Sequence, residues 1–389
     1  MRILHTGDWH LGKVLRGRNR HAEHEAVLSE LVDVARAESV DLVLVTGDLF
    51  ESAAPNAVSQ ELAWRTLLAF RSLGADVVVC AGNHDSAALF DAVAPVFAAA
   101  GVVIRGRLER PDAGGVVEVR RGGELARIAV LPWISPRQLL RADQLFEADA
   151  SMLGQTYGSR VERVLGALTA TATSSPEPAI ELVAHAFVRG GKLGGGERDG
   201  QTVNDYGISA TAFPPGASYV ALGHLHRTQQ IPGPCPIWYS GSPIAVDFGE
   251  ELDAKGAVVV DAVPGVPAKV RPVPLRSALT LRTVQGTVAE LEAVRERWPD
   301  DWLRVIVTEP ARAGLAEEVR ALLPNALEVR IASSSVERRA GSHARRRSGA
   351  PAETFAAFLQ DQGVVDDRLV EAFGRVLADE QTEPGNEAG

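Results

Sequence analysis

Five apolar runs along the chain each stop abruptly at polar residues. They cover residues 2–6, 41–46, 77–80, 180–184 and 218–222. Short apolar runs of this kind, bounded by glycine or polar residues, are typical of buried β-strands. In open α/β sheets, ligand sites form in the crevice beyond the carboxyl ends of the strands. The pattern therefore predicts a sheet edge at which the residues after these five runs meet.

Apolar residues at helical spacing separate the first strands. Such a stripe before the second run predicts a β-α-β unit with parallel strands over residues 1–50. A second helix is expected from Pro55, a residue type tolerated in the first turn, to about Leu73. A third follows Ser86, and its apolar stripe is most simply core packing, with a dimer surface as the alternative. The stripe consists of Phe90, Val93, Ala94 and Phe97.

The pattern divides the chain into five segments. Residues 1–274 hold the five runs and are expected to form the main domain, and residues 275–332 alternate strands and helices as in a small α+β domain. Residues 333–350 are rich in serine and arginine and predict a flexible basic linker. Residues 351–379 predict amphipathic helices that dock either onto the rest of the chain or onto a partner, and residues 380–389 form a polar tail.

Composition places the protein among soluble globular chains. Of its 389 residues, 46% are hydrophobic and 23% are charged, which suits two or three domains with at least one large core. No apolar run is long enough to cross a bilayer, and the first strand begins without a signal-peptide pattern. Cys80 and Cys235 have no paired spacing, which indicates a reducing compartment. We therefore expect a cytoplasmic protein.

Net charge narrows the possible partners only slightly. The formal charge of −10 argues against a generally basic, histone-like binder of nucleic acid. It does not exclude an enzyme that acts on nucleic acid, because local patches and bound cations set the field at a site.

The residues after the five runs have the chemistry of metal ligands. All are oxygen or imidazole donors, without a thiolate, a mixture that suits Mn²⁺, Fe²⁺ or Zn²⁺ better than an all-oxygen magnesium site. Seven such ligands exceed what one octahedral ion needs if substrate is also to bind. Two ions that share a carboxylate would use them, as in phosphoryl transfer. The candidates are Asp8, His10, Asp48, Asn83, His185, His224 and His226.

Each candidate also has a simpler interpretation. A single histidine on a strand is more often a core residue than a ligand, and Asp85 and Ser86 could merely cap the next helix. The recurrence of such residues at five strand ends argues against coincidence. The remaining histidines lack this context and are expected to be structural or solvated. They are His5, His21, His24 and His343.

Two glycine-containing loops carry cations close to the predicted edge. They can be solvated turns, or they can contact a phosphate backbone. The loop over residues 12–20 contributes Lys13, Arg16 and Arg18, and the region over residues 189–200 contributes Arg189, Lys192 and Arg198.

The strand-end motifs resemble the signature of the calcineurin-like metallophosphoesterases. These motifs are Asp8-x-His10, Gly47-Asp48, Gly82-Asn83-His84-Asp85, His185 and Gly223-His224-x-His226. More narrowly, residues 3–12, 47–50, 239–243 and 247–250 resemble the SbcD-type nuclease subunits of bacteria. The similarity is close in the main domain and extends in layout to the small α+β domain, which matches the capping domain of these nucleases.

The resemblance implies an α/β fold, a four-layer β-sandwich flanked by helices, and a division of the ligands between two ions. Asp8, His10, Asp48 and His226 would hold one ion, and Asp48 would bridge to a second ion held by Asn83, His185 and His224. The implied activating metal is Mn²⁺. His84 matches a histidine that stabilises the transition state and protonates the leaving 3′-oxygen.

The resemblance also implies an activity and partners. Relatives of this type are exonucleases on double-stranded DNA (3′→5′) and endonucleases on single strands, and they process ends and hairpins in DNA replication, repair and recombination. They act as homodimers with SbcC, a coiled-coil ATPase, for which residues 351–379 would be the docking segment. Glu51 departs from the histidine of some archaeal and eukaryotic relatives, so no role transfers to it.

Two other functions compete with this interpretation. A phosphodiesterase for small molecules or cyclic nucleotides would use the same core but has no need of the C-terminal third of the chain. A non-catalytic scaffold would be expected to have lost ligands, whereas all seven candidates and His84 are present.

Overall fold

The computed structural model describes residues 1–135, 157–172, 179–197 and 207–332 of the chain. The strands are β1 (Arg2–Thr6), β2 (Val14–Leu15), β3 (Arg18–Asn19), β4 (Leu42–Val45), β5 (Asp76–Cys80), β6 (Val102–Arg105), β7 (Val116–Arg121), β8 (Glu124–Leu131), β9 (Ala179–His185), β10 (Tyr219–Gly223), β11 (Gln229–Ile231), β12 (Ile237–Tyr239), β13 (Gly256–Val263), β14 (Val266–Pro274), β15 (Leu281–Gly286), β16 (Trp302–Val307) and β17 (Ala326–Ile331). The helices are α1 (His21–Ala37), α2 (Ala57–Ser72), α3 (Ala87–Ala99), α4 (Tyr157–Ala172), α5 (Val288–Ala293) and α6 (Leu315–Leu322).

Two six-stranded sheets carry the five predicted strand ends. The first has the order β14-β13-β1-β4-β5-β6, and its strands β1, β4, β5 and β6 are parallel to one another. The second has the order β11-β12-β10-β9-β8-β7, with β12, β10, β9 and β8 parallel. The carboxyl ends of β1, β4 and β5 therefore lie together in one sheet, and those of β9 and β10 lie together in the other.

Apolar packing on both faces of each sheet produces four layers. Side chains such as Ile3 and Leu44 from the first sheet share a buried core with Val130 and Ala221 from the second. Helices α1 to α3 cover the outer face of the first sheet, and α4 packs on the outer face of the second. Because β4 is buried on both faces, it is apolar throughout. The predicted four-layer α/β sandwich is confirmed.

Helices α2 and α3 begin at side-chain caps. The Asn56 side chain accepts a hydrogen bond from the Ser59 amide at 2.8 Å, so α2 starts one residue later and Pro55 lies just outside it. Ser86 caps α3 in the same way, through the Leu89 amide. Phe90 and Phe97 are buried in the main core, which agrees with core packing for the α3 stripe.

A smaller parallel sheet, β15-β16-β17, follows the two large ones. Together with α5 and α6 it encloses its own apolar cluster, in which Val305, Val307 and Val319 are fully buried. Residues 1–331 nevertheless form one compact unit. The boundary between residues 274 and 275 remains a prediction, and the segments 333–350, 351–379 and 380–389 lie outside the described residues.

A buried ion pair lies where the small sheet meets the rest of the unit. The Arg20 Nε donates to Glu23 Oε2 at 2.9 Å, and the side chains of both residues are almost completely buried. Glu23 also accepts hydrogen bonds from the Leu279 amide at 3.1 Å and from the Trp302 indole at 3.4 Å. The pair thus connects α1 to the residues that lead into and form the small sheet.

No helix among the described residues has the length and apolar character to span a bilayer.

Candidate two-metal centre

The seven predicted ligands converge at the edge where the two sheets meet. Asp8 and His10 follow β1, Asp48 follows β4, and Asn83 follows β5. From the second sheet, His185 ends β9, and His224 and His226 follow β10. All of them except Asn83, which is partly exposed, are buried. Neither sheet alone supplies the complete set.

One group of ligands combines residues from both sheets. The ligand atoms of Asp8, His10 and His226 all lie within 4.8 Å of one another. Within this group, the Nε2 atoms of His10 and His226 are 3.1 Å apart. Ligand atoms that share one cation at bonds of about 2.0–2.2 Å are separated by such distances.

A second group lies beside the first. The ligand atoms of Asp48, His185 and His224 also lie within 4.8 Å of one another. The side-chain oxygen of Asn83 lies 2.8 Å from His185 Nε2 and 2.8 Å from His224 Nδ1, which brings the amide into the same group.

Asp48 belongs to the second group and also approaches the first. Its Oδ2 atom is 4.0 Å from His10 Nε2 in the first group and 3.4 Å from His185 Nε2 in the second. Its other oxygen accepts a hydrogen bond of 2.7 Å from the His84 amide, which fixes the carboxylate in the loop after β4. A carboxylate in this position can be shared by two cations.

The backbone of the site is strained. Asp8, His10 and Asp48 have φ angles of 51°, 51° and 49°, and His224 has a φ of 105°. The left-handed region costs a residue with a side chain about 1–3 kcal/mol, and such residues cluster at functional sites. The turns that direct these side chains into the centre therefore persist only because the surrounding fold imposes them.

Close approach of the loops explains two of the motif glycines. A Cβ atom on Gly82 would collide with the Asp48 backbone and carboxylate. A Cβ atom on Gly223 would collide with the Thr46 carbonyl of the opposite sheet. The glycine before each of these polar motifs therefore allows the ligand loops to pack against one another.

The other residues of the third motif have separate functions. Asp85 accepts hydrogen bonds from the Gly82 amide at 2.9 Å and the Phe50 amide at 3.0 Å, so it joins two ligand loops while Ser86 caps α3. His84 is buried, and its Nδ1 donates to the Glu51 carbonyl at 2.8 Å. This bond fixes the tautomer in which Nδ1 carries hydrogen. The His84 ring lies against the His10 ring with a centroid distance of 4.8 Å.

Two carboxylates that sequence reasoning did not assign lie behind the first group. Glu51 Oε2 is 2.9 Å from His10 Nδ1, and Glu250 Oε1 is 2.8 Å from His226 Nδ1. Burial raises the pKa of each glutamate, but the histidine hydrogen bond and a nearby lysine outweigh it and lower both pKa values to about 2. Glu250 belongs to a motif that the sequence singled out, yet no local spacing connects it to His226.

The electrostatics of the centre favour added positive charge. Burial raises the pKa of Asp8 to about 7, against the opposing effect of nearby histidines. Burial lowers the pKa of His185, but the Asp48 carboxylate outweighs it and raises that pKa to about 9. Buried carboxylates among imidazoles thus recruit protons. A divalent cation would supply the same compensation.

The contact between His10 and His226 provides a specific test of metal fit. Because each Nδ1 donates to a carboxylate, the Nε2 of each ring carries a lone pair whenever that ring is neutral, and the two Nε2 atoms lie 3.1 Å apart. Only a proton or a cation beside both atoms makes that contact favourable. Together with the second group around Asp48, the donor set fits two divalent cations.

The cations of the first loop contact protein groups. Lys13 forms an ion pair with Glu51 at 2.9 Å, and Arg16 forms one with Glu328 at 3.1 Å. The Arg18 guanidinium lies over the Trp302 ring, 5.1 Å from its centroid. In this structure the loop therefore connects the ligand region to the small sheet.

In the second loop, the Arg189 side chain and the Lys192 backbone also bond to protein groups. The Arg189 guanidinium donates to the Gly207 carbonyl at 2.9 Å, and the Lys192 amide bonds to the Gln229 side chain at 2.8 Å. Arg198 lies outside the described residues.

Two histidines outside the ligand groups are structural, and one aromatic residue packs against a ligand. His5 and His24 are buried and hydrogen-bonded to Tyr219 and to the Arg20 carbonyl, as expected for structural histidines. His343 lies outside the described residues. Trp133, which no motif indicated, stacks on His224 with an interplanar angle of 21° and a centroid distance of 5.1 Å. Its position could not be inferred because it precedes a segment without clear periodicity.

Family models match most of the chain. The model described as calcineurin-like phosphoesterase matches residues 1–228. The model described as the type 5 capsule protein repressor C-terminal domain matches residues 278–363. The first match contains all seven candidate ligands and His84, and the second contains the small sheet.

Several curated relatives are named as subunits of the nuclease SbcCD. The protein from Bacillus subtilis (strain 168) is 35% identical over 287 residues, which cover 72% of this chain and 71% of the relative. The protein from Rhodobacter capsulatus is 32% identical over 302 residues, covering 74% and 73%. The protein from Escherichia coli (strain K12) is 28% identical over 357 residues, covering 87% and 86%. The similarity thus extends well beyond the site motifs.

Proposed function

We propose that this chain, which belongs to the SbcD family of calcineurin-like phosphoesterases, is a metal-dependent nuclease that hydrolyses phosphodiester bonds in DNA. The observation that carries the proposal is the pair of ligand groups linked by Asp48, with the His84 ring beside them and its Nδ1 hydrogen-bonded to the Glu51 carbonyl. This arrangement suits hydrolysis of a phosphodiester, and the relatives are named as nuclease subunits.

The proposed site uses all seven ligands. Asp8, His10 and His226 would hold one cation, Asn83, His185 and His224 would hold the other, and Asp48 would be shared. Mn²⁺ is the proposed metal, because the mixture of imidazole and oxygen donors suits it. When bound, two such cations activate water near neutral pH and neutralise charge on the phosphodiester.

His84 is the proposed general acid. Its Nδ1 is held by the Glu51 carbonyl, so the proton given to the leaving 3′-oxygen would come from Nε2. Histidine is the usual residue for such a transfer at neutral pH, where it contributes about 10²–10⁴-fold. The strained turns at Asp8 and Asp48 hold the ligands in place before substrate arrives.

The proposed substrates are ends and hairpins of DNA, cleaved 3′→5′ on double strands and internally on single strands during DNA replication, repair and recombination. The alternative is a phosphodiesterase for small molecules or cyclic nucleotides. No observation on the described residues favours it.

The proposed assembly is a cytoplasmic homodimer with an SbcC-type ATPase. The relatives are named as subunits of an SbcCD nuclease, which supports a protein partner for this chain. We assign nuclease chemistry to residues 1–274, a capping role to residues 275–332, and partner docking to residues 351–379 after the linker at 333–350.

The test is a cleavage assay on the full-length protein. Mn²⁺ should support cleavage of a blunt duplex labelled at its 3′ end and of a hairpin, and chelation by EDTA should abolish it. Cyclic nucleotides and a simple aryl phosphodiester serve as competing substrates. Turnover of those compounds without cleavage of either DNA would overturn the proposal.

A further inference from the structure

Two carboxylates hold the two histidines whose ring nitrogens face each other across the first ligand group. Glu51 accepts from His10 Nδ1 at 2.9 Å, and Glu250 accepts from His226 Nδ1 at 2.8 Å. A carboxylate can only accept here, so both Nδ1 atoms must carry hydrogen. Each Nε2 is then the nitrogen left to bind a cation, and the two lie 3.1 Å apart.

Each carboxylate is itself fixed by a lysine. Lys13 Nζ lies 2.9 Å from Glu51, and Lys255 Nζ lies 2.6 Å from Glu250. Lys255 also donates to the His226 carbonyl at 3.0 Å, so it contacts both the carboxylate of Glu250 and the backbone of the histidine that Glu250 orients. The two sides differ in burial: the Glu51 side chain is 30% exposed, whereas the Glu250 side chain is fully buried.

Glu250 reaches His226 from an element that also contacts the small sheet. It ends the short helix Phe248–Glu250, in which Phe248 packs against Leu281 and under the Arg304 guanidinium. The next residue, Glu251, accepts a hydrogen bond of 2.6 Å from the Thr283 hydroxyl. The carboxylate that orients His226 is therefore placed by contacts with β15 and β16.

We propose that Glu51 and Glu250 are positioning residues that fix His10 and His226 with Nε2 directed at one divalent cation, and that the small sheet acts on that cation through Glu250. The inference rests on the metal site of the proposed function, but it does not depend on DNA as the substrate. Outer carboxylates of this kind fix the tautomer and orientation of ligating histidines, and their loss typically weakens metal binding about 10–100-fold.

The experiment titrates Mn²⁺ into the full-length, metal-free protein and follows the EPR signal of free Mn²⁺. Glu51→Gln and Glu250→Gln should both weaken the same one of the two binding events, about 10–100-fold. The other binding event should keep its wild-type affinity in each variant. Glu38→Gln is the control, because it changes a carboxylate that contacts Arg271 rather than a histidine. Both binding events should be unchanged in the control.

A loss confined to one ion separates positioning from general damage to the fold. Glu250→Gln leaves Lys255 buried without its carboxylate, so the double variant Glu250→Gln/Lys255→Met is measured as well, and it should show the same selective loss. Two wild-type affinities in both single variants would overturn the proposal. Equal weakening of both ions, together with a lower melting temperature of the metal-free protein, would also overturn it.

The outcomes also distinguish this inference from the proposed function. Selective loss of one ion in a protein that cleaves no DNA would leave the positioning role standing and remove the nuclease. DNA cleavage by the wild type, together with wild-type binding of both ions in the two variants, would support the nuclease and remove the positioning role.

Discussion

The imidazole of His5 in β1 and the hydroxyl of Tyr219 in β10 form a hydrogen bond of 2.8 Å that joins the two large sheets inside their shared core. The other ring nitrogen of His5 lies 3.2 Å from the Leu222 carbonyl, so it donates there and Nδ1 accepts from the tyrosine. The neutral ring thus satisfies both partners, and a second ring proton would disturb this bridge.

This bridge should make stability depend on pH. Burial lowers the pKa of His5 from 6.5 to about 3. Between these two pH values the unfolded chain binds a proton at His5 and the folded protein does not. The contribution of His5 to the free energy of unfolding is therefore fully present above about pH 6.5 and is lost progressively as the pH falls towards 3. At pH 4.5 the loss should be about 2–3 kcal/mol.

Urea unfolding of wild type and His5→Asn between pH 7.5 and 4.5 measures the effect. The variant should be less stable at pH 7.5, and its difference from wild type should shrink by about 2 kcal/mol at the lower pH. Other titrating groups are common to both proteins and cancel. Parallel stability curves would contradict the prediction.

Replacement of His84 should separate chemistry from metal binding. His84→Ala removes the proposed general acid, so cleavage of DNA should fall about 10²–10⁴-fold. The protein should still bind two ions, because the proposed ligands are unchanged. Cleavage is measured with Mn²⁺ on a blunt duplex, and bound metal is counted by mass spectrometry. A variant that has lost an ion would show that His84 acts as a ligand.

Replacement of Asn83 should remove one ion selectively. Its side-chain oxygen lies 2.8 Å from nitrogens of both His185 and His224. Asn83→Ala should therefore lower the bound Mn²⁺ from two ions to one in equilibrium dialysis. Asn56→Ala provides the control: it removes the cap of α2 at a cost of about 1 kcal/mol but should retain both ions. Two tightly bound ions in Asn83→Ala would place the amide outside the centre.

The buried pair of Arg20 and Glu23 should matter most when only one partner is removed. Glu23→Gln leaves the Arg20 charge buried without its carboxylate, and such changes cost about 3–5 kcal/mol. Arg20→Met/Glu23→Leu removes both charges and should recover most of that loss. The free energy of unfolding in urea measures both. A single variant as stable as wild type would mean that the pair is screened by water.

Removal of the C-terminal segment should separate the partner from the nuclease. A chain that ends at residue 350 lacks the proposed docking helices but keeps all seven ligands. It should lose binding to the SbcC-type ATPase in co-purification and retain Mn²⁺-dependent cleavage. Replacement of Phe355 and Phe358 by serine in the full-length chain is a milder test of the same segment. A truncated chain that still co-purifies would place the dock elsewhere.

Local patterns predicted the strands and the polar side chains that meet at their ends, because both are encoded over short distances. Asp8 and His10 follow the strand that positions them, and their spacing in the sequence carries their chemistry. Burial on both faces makes β4 apolar, so its end at Gly47 was also visible.

Contacts between distant segments could not be predicted in this way. Arg16 suggested a contact with phosphate, but its partner Glu328 is 312 positions away. The function of Glu250 depends on the fold that brings it to His226, and neither residue indicates the other in the sequence. Charge patterns therefore identified the cations of the first loop but not what they bind.

The division of each ligand group between the two sheets has a consequence for synthesis of the protein. Asp8 and His10 are made early, but their group is incomplete until His226 has been translated, and β1 gains its neighbour β13 only at residues 256–263. A nascent chain that has emerged only as far as β6 therefore lacks the histidines that the second sheet contributes to each group. The complete set of proposed metal ligands exists only after β10 of the second sheet and the residues that follow it have been synthesised.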